Sequence, residues 1–321
     1  MRSVVTVLAA LAGAALLYWQ IRETGLDEIG RSFAAVHWWG FALVLVLSLG
    51  RFAARTLAWM TLAGPGVSFR RALAATISGD ALGNLTPLSV IVSEPAKAMY
   101  LAGPAGAARA LAALTAENFF YTVSVAIYVM LGTAAMLKAF ALPEALARAG
   151  IAALVIMAVV LAAAGWLAWQ RPSVVSASLA RLPIARLRHV ADRVRDFEIQ
   201  TYGSVGGHAS QIATLTLWEM LFHLLSFLEA WLTLWLLTGT SLPLEAFVLD
   251  TFQRVANIIF KVIPFGLGVT QVGSEIVAQA TGIQPAVGVT MALIVTARKI
   301  VWAIVGGALL LRRGFRSGTR H

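Results

Sequence analysis

"GNLTPLSVIVSEPAKAMY", residues 83–100, sits among apolar neighbours yet carries two prolines, an Asn, a Glu and a Lys. "KVIPFGLGVTQVGSE", residues 261–275, has the same character near the other end of the chain. In hydrocarbon an unsatisfied backbone N–H or C=O costs several kcal/mol, so irregular backbone survives only inside protein or beside a water-filled cavity. Pro87 removes a donor and disfavours helical geometry at Thr86. Gly79 and Gly83 permit close helix contact. The first stretch therefore reads as a half-helix over 69–84, a break at 84–88 and a returning half-helix over 89–102. The second breaks at Pro264–Gly268 and returns through Glu275. A proline kink, or a loop outside the membrane, stays open for both.

Around these stretches the chain is 59% hydrophobic and only 12% charged over 321 residues. Soluble domains carry roughly 25% charged residues. The expected class is an all-α polytopic membrane protein. Spans of about 20 residues are expected near 4–20, 40–62, 108–131, 150–170, 210–238 and 285–311. With six spanning helices go two re-entrant hairpins, 69–102 and 243–281. Residues 4–19 could instead be a signal peptide, but Arg2 is the only early charge and Tyr18-Trp19 suits an interfacial anchor. There is no Cys, which excludes disulfides, thiolate metal sites and Cys nucleophiles. The net charge of +10 fits loops facing anionic lipid better than nucleic acid, because no basic run carries interleaved aromatics.

With a cytoplasmic N-terminus, fifteen of the 25 Lys and Arg fall on cytoplasmic parts and four on outer loops. The positive-inside rule prefers that arrangement, with both termini in the cytoplasm of a bacterial inner membrane. Two halves of opposite orientation follow: a first membrane repeat over 1–149 and a second over 150–321. A slide of 177 residues puts Pro87 on Pro264 and 40–62 on 217–239. Such inverted repeats mark transporters. Identity between the halves is poor, so the expectation rests on spacing and hydropathy. In the linker 171–207, Leu187, Val190, Val194 and Phe197 share one helical face flanked by arginines. That suits a helix on the inner leaflet, or a solvated cap on the bundle.

Ionisable residues at membrane depth are costly and mark function by default. Arg51 and Arg55 share a helix face. Asp80, Glu94, Lys97 and Glu117 surround the first break; Arg254, Lys261, Glu275 and Arg298 surround the second. Mixed signs suggest structural ion pairs, with some cations left for a phosphate, a role that suits arginine's planar fork. Glu219 and His223 lie four apart. They lack the second His of a zinc-protease motif, and no other His supplies a ligand pair, so no metal is expected. A proton relay or an ordinary hydrogen-bonded pair are the remaining readings. No G-x-S-x-G elbow, P-loop or paired-carboxylate motif occurs, and no cofactor is expected.

At the two breaks the chain resembles the transmembrane region of lysylphosphatidylglycerol synthase, the flippase-like integral membrane family, which includes members associated with hopanoid biosynthesis. Asn84, Pro87, Glu94 and Lys97 fill its first motif. Pro264, Gly266, Gly268, Gly273 and Glu275 fill its second, and Arg298 matches an Arg of the last helix. Three positions depart: Ser93 replaces a Gly, Lys97 an Arg, and Asn118 an Arg. No soluble aminoacyl-transferase domain is expected after the last helix, so the resemblance implies lipid handling without lipid aminoacylation.

The expected function is movement of an anionic or polyprenyl-type lipid between leaflets. Arg51, Arg55, Lys97, Arg254, Lys261 and Arg298 would contact the headgroup phosphate. Glu94, Glu117 and Glu275 would organise those cations or carry a coupling proton, and Asn84–Pro87 with Pro264–Gly268 would line the path. The alternatives are a membrane enzyme or subunit modifying a lipid-linked substrate, and a non-catalytic scaffold for a lipid-biosynthesis partner.

Overall fold

The computed structural model describes residues 26–64, 66–85, 93–94, 97–98, 104–170, 195, 199, 203, 209–260 and 263–318. Eight α-helices lie within them: α1 Leu26–Ala63, α2 Phe69–Leu85, α3 Pro104–Ala139, α4 Glu144–Gln170, α5 Ala209–Thr238, α6 Pro243–Ile259, α7 Val269–Ala280 and α8 Pro285–Gly318. A 3-10 turn, Pro264–Gly266, separates α6 from α7. No strand occurs among the described residues. Helices α3, α6 and α8 each open on a proline, whose missing N–H is not needed in a first turn.

Among the described residues, five helices are long and apolar enough to cross a membrane: Val36–Ala63, Ala110–Ala139, Glu144–Gln170, Ala209–Thr238 and Pro285–Arg312. At 1.5 Å per residue, the shortest, of 27 residues, is about 40 Å long, against a hydrocarbon core of about 30 Å. They correspond to five of the six expected spans; the expected first span, 4–20, lies outside the described residues. The α1 span starts four residues earlier than expected, where helical geometry breaks at His37 (φ 52°, ψ 163°). Trp38 and Trp169 stand exposed at span ends, as interfacial anchors do.

Both punctuated segments double back. Lys97 lies against Gly79, a residue that a straight helix would hold about 27 Å away. Ala98 likewise packs in one cluster with Ala72, Trp59, Ala110 and Leu114. Helix α2 matches the expected first half-helix to within a residue. Ser93, Glu94, Lys97 and Ala98 are helical, within the expected return. Pro87 and Lys261 lie outside the described residues, as does nearly all of the linker 171–207.

The second doubling-back is described through its turn. Phe265 adopts left-handed geometry (φ 58°, ψ 0°), and Gly266 and Gly268 follow with positive φ. Left-handed backbone is costly for Phe and free for Gly. The side chain of Gln271 holds the turn: its Oε1 accepts from the Gly268 N–H (2.8 Å), and its Nε2 donates to Thr296 of α8 (3.1 Å). The return then packs tightly, with Gly273 beside Phe252 and Gly288 against the Ser274 carbonyl.

Packing crosses between the halves. Helix α1 packs chiefly on α5, α2 on α8, and α6 on α3 as well as on α7. Gly306 of α8 meets the Ile77 carbonyl of α2, the close backbone approach that small residues permit. Helix α4 packs on α3 and keeps most of its surface outward; its buried residues are Gly150 and Ala164.

Candidate functional site

Helices α1, α2, α3, α5, α6 and α8 surround a cavity of about 610 Å³, with Met157 and Val160 of α4 closing one side. Both doubled-back segments reach it, the first through Asn84, Glu94 and Lys97, the second through Phe265 and Gly266. Its wall holds Arg51, Arg55, Lys97, Arg254, Arg298 and Lys299, against the carboxylates Asp80, Glu94, Glu229 and Asp250. Asp80, Glu94 and Lys97 from around the first break and Arg254 and Arg298 from around the second thus share one chamber.

Each buried cation has a defined partner. Arg55 grips Glu117 through two bonds of 2.8 Å and also donates to Asn118 Oδ1 (3.1 Å). Asn118 stands where the resemblance expects an Arg; here it supplies an acceptor instead of a second positive charge. Arg51 donates to Glu229 Oε2 (2.9 Å), and Arg298 bonds the other oxygen of the same carboxylate. Glu229 therefore serves two arginines from two helices. Arg254 binds Asp250 (3.0 Å), which also accepts from Tyr128 (2.7 Å) and Ser226 (3.1 Å). Lys97 binds Glu94 (2.8 Å) and lies buried. Lys299 donates to Asn257 Oδ1 (2.8 Å) and to the Phe265 carbonyl (3.2 Å) at the turn.

Aromatic rings position the arginines. The Arg55 guanidinium lies 3.8 Å from the Tyr121 centroid and that of Arg254 lies 4.2 Å from Tyr128. Phe222 is within 6.0 Å of Arg51, Arg55 and Arg254 alike. Each such contact contributes about 0.5–2 kcal/mol, more when water is excluded.

Even with Glu117 holding Arg55 from behind, positive charge exceeds negative around the cavity. Among the wall residues, Arg51 Nε, Arg254 Nη2, Gln253 Nε2 and Trp302 Nε1 are buried donors without a hydrogen-bond partner, against one such acceptor, Glu94 Oε2. A buried donor left unpaired costs about 1–3 kcal/mol. A wall with surplus cations is chemically suited to an anion rich in acceptor oxygens, such as a phosphate. Apolar side chains such as Met157, Val160, Val125 and Ile258 border the same space.

Neither curated proteins nor solved structures returned a match, whereas the sequence profile described as the lysylphosphatidylglycerol synthase TM region matches residues 4–307. The chain belongs to that family. It is an integral membrane protein of a lipid-handling family, and the cavity is where its buried charge converges.

Of the residues expected at the site, Arg51, Arg55, Asn84, Glu94, Lys97, Arg254 and Arg298 line the cavity. Glu117 stands one layer behind, through Arg55. Gly268 is buried within the turn and Glu275 is half-buried on α7; neither belongs to the cavity wall. Pro264 opens the turn. Glu219 and His223 are buried on α5 behind the wall. Among the described residues, no group of three His, Asp or Glu could hold a metal ion. Sequence reasoning passed over Glu229, Asp250 and Lys299. The signal for Glu229 was present, a carboxylate within an apolar span. So was that for Asp250, four residues before Arg254 on one helix face.

Proposed function

We propose that this protein moves an anionic, phosphate-bearing lipid, of the phospholipid or polyprenyl-phosphate type, between the leaflets of a bacterial inner membrane. The carrying observation is the surplus of cations on the wall of a chamber within the spanning bundle. A headgroup phosphate pairs with the cations of the wall, while the bordering apolar side chains suit the acyl or prenyl chains.

The architecture proposed with it is a pair of inverted repeats, 1–149 and 150–321, whose hairpins enter from opposite sides, with both termini cytoplasmic. The reciprocal packing of α2 on α8 and α6 on α3 supports that arrangement. So does the equal 17-residue length of α2 and α6. Half-helix ends near the midplane then offer free backbone groups to the cargo.

The test is scrambling of a fluorescent anionic phospholipid in proteoliposomes. Arg51→Ala is expected to slow it by about 10- to 100-fold, the equivalent of one charge-assisted hydrogen bond of about 1.5–3 kcal/mol. Glu229 keeps Arg298 in that variant, so the fold survives. Equal rates in the variant and the parent overturn the reading. A lipid product of altered mass replaces it with lipid modification.

A further inference from the structure

Among the buried acids of the described residues, Glu219 stands apart. Glu94, Glu117 and Glu229 each bind a Lys or Arg. Glu219, 3% exposed, binds the hydroxyl of Ser124 through Oε2 (3.1 Å), and its Oε1 has no partner.

The contacts of Ser124 bear on the state of this carboxyl. Its Oγ lies 2.9 Å from the Tyr121 carbonyl, 3.1 Å from Glu219 Oε2 and 3.0 Å from His223 Nε2. A hydroxyl donates one hydrogen bond and accepts two. The Tyr121 carbonyl can only accept. If all three contacts are hydrogen bonds, Ser124 donates to Tyr121 and accepts from the other two. Glu219 must then carry a proton, and His223 must carry one on Nε2. His223 Nδ1, buried without a partner, fits a neutral ring with its lone pair there. An ionised Glu219 would instead bury a carboxylate oxygen with nothing to bind, which is far costlier than burying a neutral C=O.

We propose that Glu219 is a proton-binding site, loaded in this conformation and emptied during the transport cycle. This rests on the transport reading for the cycle, though not for the proton. The charged groups facing Glu219 are Glu117 of α3 and Arg55 of α1. His223, on its own helix, faces Asp250 and Arg254 of α6 and Arg51 of α1. When the wall opens and the proton leaves to water that then reaches Glu219, the new carboxylate takes Ser124's single proton and the Ser124–Tyr121 bond breaks. The carboxylate also competes with Glu117 for Arg55, a wall residue. Proton loss thereby reaches the cargo site through one arginine.

Infrared titration of the purified full chain tests the proton, and the pH profile of lipid scrambling tests the cycle. The parent should show a protonated-carboxyl stretch at neutral pH that Glu219→Gln removes. The scrambling rate should change at least about fivefold over the pH range in which that band titrates, and become flat in Glu219→Gln, whose amide still donates to Ser124. A band that persists in Glu219→Gln overturns the protonated state. Loss of the band with an unchanged pH profile makes the proton structural and overturns its exchange. A parent that scrambles no lipid refutes the transport reading and with it the exchange, while the band still decides the protonated state.

Discussion

Helices α4 and α5 are both long and apolar, yet they have opposite fates. Helix α4 has the higher mean hydropathy, 2.6 against 1.6. Only 6% of its most apolar window is buried in the protein, against 39% for α5. Helix α4 turns Val155, Ile156 and Val159 outward, where lipid replaces protein at no cost. Helix α5 buries Glu219, His223, Ser226, Glu229 and Thr233 along one side. In a membrane the most apolar helix is the peripheral one, because lipid is as apolar as any side chain and exerts no drive to bury it. The less apolar helix goes inside, where its polar groups find partners.

The sharpest way to break this contrast is Glu229→Ala, which strands Arg51 and Arg298 in the bundle. Removing one partner of a buried pair costs about 3–5 kcal/mol, and here two cations lose it. Reversible unfolding in detergent or bicelles should register at least that loss. Next comes the seam of α4 on α3. A Cβ added at Gly150 would lie 3.2 Å from Leu137 and 3.3 Å from Met136. Gly150→Leu should cost about 1–3 kcal/mol by overpacking, read by the same unfolding measurement. Ser226→Ala removes one donor from Asp250 while Tyr128 and Arg254 remain. A loss of about 1 kcal/mol is expected. Val159→Leu, on the outward face of α4, should change stability by less than about 0.5 kcal/mol. If Val159→Leu proves as damaging as Gly150→Leu, α4 has an unrecognised packing partner and the contrast with α5 weakens.

Much of the fold was legible because long apolar stretches and proline or glycine punctuation act locally. Helix α2 ends within a residue of its expected boundary, and the turn at Pro264–Gly268 falls where the glycines permit positive φ. Arg51, Arg55, Lys97, Arg254 and Arg298 were legible as cavity residues because charge in an apolar setting is conspicuous. Their partners were harder to read. Asp80, Glu94 and Glu117 drew attention by lying near the first break, whereas Arg51 reaches 178 residues along the chain to Glu229. Glu275 shares the second break's neighbourhood in sequence, but α7 carries it away from the cavity wall.

Sequence alone determined that this chain lives in a membrane, where its spans run, and where its backbone must turn. Hydropathy, donor count and allowed φ belong to a residue and its immediate neighbours. Tertiary structure alone decided that the buried charges share one chamber, that Glu229 answers to two arginines, and that Glu219 has none. Those outcomes depend on which helix faces meet, and Coulomb attraction and hydrogen bonding act through distances in space that position along the chain does not encode.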